Sequence, residues 1–210
     1  MIGKDLLSTT DVSGHTSVQT AMNRRRFRRD EYVPQPSVAE PRPYLLAAVL
    51  AFVRATRTLA GVRRIALVGS LATPKPIPKD ADVLVTIDGA LDLAPLAVIG
   101  RRLKGKTQEI NRGADIFLAD EKGRYIDRIC RFRECFPRQM CIALNCGARE
   151  HLNDDLADVT LPQSLIQEPP VELWPRIVRR VQVPVDVESL LLAELECDET
   201  PETVGPRTGF

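Results

Sequence analysis

Asp80-Ala81-Asp82-Val83-Leu84-Val85-Thr86-Ile87 is the stretch on which the fold of this 210-residue chain turns. In a strand, successive side chains point to opposite sheet faces. Ala81, Val83, Val85 and Ile87 therefore form one apolar face, while Asp80 and Asp82 share the other. Gly113-Ala114-Asp115-Ile116-Phe117-Leu118 repeats the pattern: Ala114, Ile116 and Leu118 lie on one face and Asp115 on the opposite one. If the two strands are neighbours, three carboxylates converge on one patch of sheet.

Between and around these strands the sequence sets out an alternation of helices and strands. Pro43 opens a helix over 44–59, with Leu45, Val49, Phe52, Val53 and Leu59 on one face and Gly61 beyond its end. Ile65-Ala66-Leu67-Val68 reads as a short buried strand ended by Gly69-Ser70. A proline-broken loop, 73–78, leads to the Asp80 strand, and a second helix is expected over 91–103, with Gly105 past its end. The 114–118 strand enters the turn Asp120-Glu121-Lys122-Gly123 and pairs with a fourth strand over 124–132. Two further helices are expected over 171–180 and 186–194, with Trp174, Leu173, Ile177 and Val178 in their core. The expected fold is α/β: a mixed β-sheet covered by helices, with a small C-terminal helical extension.

The ends differ in composition. Residues 1–40 carry the basic block Arg24-Arg25-Arg26-Phe27-Arg28-Arg29 and scattered prolines, and read as a flexible basic arm. The expected core is 41–132, followed by a Cys-containing and helical extension, 133–195. Residues 196–210 read as an acidic flexible tail.

Composition excludes several classes. Apolar residues make up 44% and charged residues 27%, too apolar for disorder throughout. The longest apolar run, residues 44–53, falls short of the roughly 20 that a membrane span needs. The N-terminus lacks the basic flank and apolar stretch of a secretory signal, so a cytoplasmic location with reduced thiols is expected. With 29 basic against 28 acidic residues, bulk electrostatic binding to nucleic acid or membrane is not the default.

Three carboxylates that close repel one another, and one would protonate unless cations neutralised them. A pair of Mg²⁺ ions, which take oxygen ligands, answers the need. Two such ions about 4 Å apart also carry out in-line phosphoryl transfer. Glycine at 69 allows close backbone approach to a ligand, and the Ser70 hydroxyl with neighbouring N–H groups can hold phosphate oxygens. A lone Asp-x-Asp is more simply a solvated turn. The conjunction of Gly69-Ser70, a loop of about ten residues, Asp80 and Asp82 on one face, and Asp115 after a helix makes the stronger pattern.

That conjunction resembles the nucleotidyltransferases of the DNA polymerase β superfamily, and most closely their small stand-alone bacterial members, over residues 41–132. The resemblance implies that Asp80 and Asp82 bind both metals with a nucleoside triphosphate. It implies further that Asp115 binds the catalytic metal and helps activate an acceptor hydroxyl, and that Gly69 and Ser70 hold the phosphates. The implied reaction moves a nucleoside monophosphate from the triphosphate to an acceptor: RNA, protein or a small molecule. The chain departs from many small members at Pro74, Pro76 and Pro78 and in having Lys79 before Asp80, where they have a loop glycine and a serine. Lys75 and Lys79 supply phosphate-attracting charge in that stiffer loop.

Two other readings stand beside it. One is a catalytically silent protein of the same fold that binds nucleotide or another protein. The other is a zinc-stabilised nucleic-acid-binding protein built on the arginine block and on Cys130, Cys135, Cys141 and Cys146, with His151 following. Their gaps of four, five and four residues permit a zinc site without matching its usual close pairs, so a packing or incidental role is expected and no zinc. His151 reads as a surface or turn residue. Asn153-Asp154-Asp155-Leu156 reads as a turn or a helix cap.

Overall fold

A computed structural model describes residues 40–130, 149–154 and 159–199. The arginine block, Cys135, Cys141, Cys146, Asp155 and Leu156 lie outside the described residues, as do most of the expected arm and the end of the expected tail.

The chain is α/β. Helix α1 (Pro41–Thr56) precedes β1 (Val62–Val68), a 3₁₀ turn (Gly69–Ala72) and β2 (Asp80–Ile87). Helix α2 (Leu93–Gln108) then leads to β3 (Gly113–Asp120) and β4 (Tyr125–Arg128). The later elements are α3 (Gln163–Gln167), β5 (Val171–Trp174), β6 (Val178–Arg179), α4 (Val185–Val187), a π turn (Glu188–Leu192) and α5 (Ala193–Glu199). The six strands make one mixed sheet in the order β4-β3-β2-β1-β5-β6. Only β2 and β3 run parallel, joined through α2.

The two faces are covered unequally, as the alternation in β2 and β3 dictates. Ala81, Val83, Val85, Ile116 and Leu118 join α1, α2 and the C-terminal helices in the main core. The opposite face carries a smaller cluster of Ala66, Val68, Leu84, Phe117, Ala119 and Ile166. Asp80 and Asp82 have the parity of Leu84, and Asp115 that of Phe117. The three carboxylates therefore stand at the open end of the thinly covered face.

Helix α1 starts earlier than the sequence pattern suggests, with proline in its first turn, where a missing N–H costs nothing. It ends at Thr56, and Leu59 packs on the core from the turn beyond. Helix α2 begins at its cap, where Asp92 accepts a hydrogen bond from the Ala94 N–H at 2.9 Å, and it runs through Gly105 instead of stopping there. Burial of Leu103 and Thr107 outweighs the cost of one helical glycine, about 1 kcal/mol. A Cβ at Gly105 would meet nothing within 4 Å. Gly105→Ala is therefore expected to raise stability by about 0.5–1 kcal/mol, read as an increased urea midpoint at unchanged slope.

The helix expected over 171–180 is instead the hairpin β5–β6, which adds two strands to the sheet beside β1. Pro175 falls in mid-segment, where it has no N–H for a helix and would clash with the preceding turn. Trp174 is accordingly a strand residue, partly buried against the main core, and pairs with Ile65. The C-terminal part is thus more than a helical extension. Of the residues expected in the tail, 196–199 continue α5, with Glu196 on Arg179 and Asp198 on Arg54 and Arg57. Helix formation over 186–194 is present as α4, the π turn and the start of α5.

Residues 149–154 fasten to β4. Asp127 is fully buried and accepts hydrogen bonds from the Arg149 guanidinium and from the Asp154 N–H at 2.8 Å. Arg149 also holds the buried Asp154 at 2.6 Å, so that residue anchors a turn. His151 lies in this turn at φ 64°, and its carbonyl accepts from the Cys130 N–H at 2.8 Å. Cys130 itself is buried. No helix among the described residues is long and apolar enough to cross a membrane.

Candidate active site

The parallel register of β2 and β3 sets Asp82 directly beside Asp115 and Asp80 beside Gly113. Across the other edge of β2, Val68 is the partner of Asp82, so β1 delivers the Gly69–Ala72 turn to the same carboxylate. The turn is closed by Thr73, whose N–H and hydroxyl both donate to the Ser70 carbonyl, at 3.2 and 2.8 Å.

Two glycines make room for the carboxylates. Gly69 lies at φ 67°, and a Cβ there would fall 2.2 Å from Asp82 Oδ2. A Cβ on Gly113 would fall 2.1 Å from Asp80 Oδ1. Glycine at 69 thus serves both a left-handed turn and a close approach, whereas at 113 it serves approach alone. The role of Gly113 was readable in principle: it precedes Asp115 by two residues, so the face of that aspartate has a missing side chain.

The electrostatics follow from the crowding. Asp82 has its carboxyl pushed up to about 7, chiefly by burial, then by Asp115 and by Asp80, with Arg128 pulling the other way. Asp82 therefore holds a proton at far higher pH than an ordinary carboxyl. Asp115 has two cations near it: Arg128 Nη1 donates to Oδ2 at 3.1 Å, and Lys104 Nζ stands 3.9 Å from Oδ1 while donating to the Ile129 carbonyl at 2.8 Å. Neither cation was singled out by the sequence. Arg128 is the partner of Phe117 across β3–β4, and so shares the carboxylate face. Hairpin register could have found it, whereas Lys104 reaches the site from α2 with no local signal.

The donor set is all carboxylate oxygen, the chemistry that Mg²⁺ takes, and the bare glycines let the Asp80 and Asp82 carboxylates lie close against the backbone. The residues fit a divalent ion on those grounds. As the side chains stand, no group of three His, Cys, Asp or Glu among the described residues is gathered to hold a metal. Asp115 is instead paired with Arg128. No protein-family model, curated protein or solved structure matches the chain.

Proposed function

We propose that the protein is a nucleotidyltransferase that moves a nucleoside monophosphate from a triphosphate to an acceptor. The observation that carries this reading is the side-by-side placement of Asp82 and Asp115 on β2 and β3, with the Gly69 turn pressed against the Asp82 carboxylate. Asp80, Asp82 and Asp115 would hold Mg²⁺. The bound ions would supply charge neutralisation and activation of the acceptor hydroxyl.

The chain's own groups do the rest. Asp82, whose carboxyl is pushed up to about 7 chiefly by burial and then by Asp115 and Asp80, would give up its proton to a bound cation, whose charge would favour the carboxylate. The Gly69–Ala72 turn lies against that carboxylate, and its backbone N–H groups and the Ser70 hydroxyl would meet phosphate oxygens there. Arg128, which donates to Asp115, would place a guanidinium beside bound phosphate oxygens.

One observation favours a second reading, a catalytically silent nucleotide- or protein-binding module of the same fold: Asp115 is already ion-paired with Arg128 and approached by Lys104. Purified protein incubated with each of the four ribonucleoside triphosphates, Mg²⁺ and candidate acceptors separates the two. Mg²⁺-dependent pyrophosphate release with at least one triphosphate is expected. Release with none, and no triphosphate raising the melting temperature, would leave the silent module as the answer.

A further inference from the structure

The loop between the Gly69 turn and Asp80 has few backbone donors, because Pro74, Pro76 and Pro78 lack an N–H. Among the described residues, a single side chain holds it from outside. The Arg42 guanidinium, near the start of α1, donates to the carbonyls of Leu71 at 3.1 Å, Thr73 at 2.9 Å and Lys75 at 2.9 Å. Its other edge is a two-point ion pair with Asp186 of α4, at 2.5 and 3.0 Å. The Arg42 side chain is 11% exposed. Five bonds to one planar fork fix the position of the group as well as its charge, which an ammonium on the same backbone cannot do. The loop it holds is otherwise exposed from Thr73 through Ile77, with lysines at 75 and 79.

We infer that Arg42 is the positioning residue of the triphosphate-binding loop: through Asp186 and three carbonyls it sets the path of the chain from the Gly69-Ser70 turn to Asp80. The inference rests on the nucleotidyltransferase reading and goes beyond it. It makes the C-terminal helix α4, distant in sequence, part of the nucleotide site. The loop is stiffened by proline but cannot dock itself, since three of its seven residues from Thr73 to Lys79 have no donor. Arg42 supplies the donors that hold the loop's carbonyls instead.

The test compares full-length wild type with Arg42→Gln, Arg42→Lys, Asp186→Asn and, as a control, Arg54→Gln. Arg54 ties the same helix α1 to Asp198 and Glu194 of α5 without touching the loop, so its loss loosens α1 against the C-terminal helices elsewhere. Two quantities are measured: amide hydrogen exchange without nucleotide at Thr73, whose N–H donates to the Ser70 carbonyl, and the dissociation constant for each Mg²⁺-triphosphate. Arg42→Gln is expected to speed exchange and to weaken triphosphate binding by about tenfold or more. Arg42→Lys should fall between it and wild type, Asp186→Asn should have a smaller effect, and Arg54→Gln should leave both quantities alone. Should Arg42→Gln fail to fold, Arg42→Lys decides the matter. A folded Arg42→Lys with wild-type exchange and affinity, or an Arg54→Gln as damaging as the Arg42 variants, overturns the positioning role while wild-type binding keeps the parent reading. A wild type that binds no triphosphate overturns both.

Discussion

Asp82→Asn is expected to make the metal-free protein more stable at pH 8 while removing its response to Mg²⁺ and nucleotide. Asp82 titrates near 7 in the folded chain because it is buried and faces Asp115 and Asp80. The folded state therefore holds this proton more tightly than the unfolded chain does. The stability associated with the proton is fully present below about pH 4, declines as pH rises toward 7, and is gone above. Asparagine is neutral throughout, so the two proteins should be nearly equal at pH 4 and diverge up to pH 7. At 1.36 kcal/mol per pKa unit the divergence has a ceiling of roughly 4 kcal/mol. Relaxation on the half-buried Asp80 side should bring the gain to about 5 °C in melting temperature at pH 8. The same substitution removes a carboxylate that the proposed reaction needs, so turnover should fall by orders of magnitude. Melts from pH 4 to 9, with and without Mg²⁺ and each triphosphate, check both halves. A variant less stable than wild type at pH 8, by the 1 kcal/mol of lost hydrogen bonds and with its nucleotide response intact, would make Asp82 a structural residue.

What the sequence could carry here was the local and periodic part. The bounds of β2 follow from four apolar residues alternating with two aspartates, and the same period in β3 puts Asp115 on the face of Asp82. A period of two needs only neighbours to be read. The β5–β6 hairpin has four and two residues, too few for a period to emerge, and its Val/Leu/Ile content suits a helix as well as a strand. Gly105 misled in the same way, because the helix it should have ended is held by burial on its far side. The parts of the site that stayed hidden are the long-range ones. Arg42 and Asp186 lie 144 residues apart, and Arg128 reaches Asp115 across a strand pair. An ion pair closed by the tertiary fold leaves no spacing in the chain. Sequence therefore displayed the acidic half of the candidate site and concealed the cations that balance and frame it.

Gly69→Ala is expected to be the most damaging single methyl in the described part of the chain. Two costs coincide there. The residue sits at φ 67°, which an alanine adopts at a cost of about 1–2 kcal/mol. Its Cβ would also lie 2.2 Å from Asp82 Oδ2, 3.0 Å from Cγ and 3.1 Å from Cβ, so the root of the side chain is engaged as well as its tip. Rotation of the carboxylate alone does not relieve the clash, and the turn and β2 must separate. Gly123→Ala calibrates the first cost alone: it has φ 75°, but its nearest neighbour is the flexible Gln167 side chain at 3.3 Å. Gly113→Ala calibrates the second: its φ is not positive, and only the Asp80 tip lies under 3 Å, at 2.1 Å. Gly123→Ala should therefore lose about 1 kcal/mol and keep its Mg²⁺-triphosphate response. Gly113→Ala should fold nearly as well as wild type but respond weakly, because Asp80 has turned away. Gly69→Ala should lose about 3 kcal/mol or more, a fall in melting temperature on the order of 10 °C, and the whole response. Equal losses in Gly69→Ala and Gly123→Ala would mean that the Asp82 carboxylate moves aside freely, and that the turn does not shape the site.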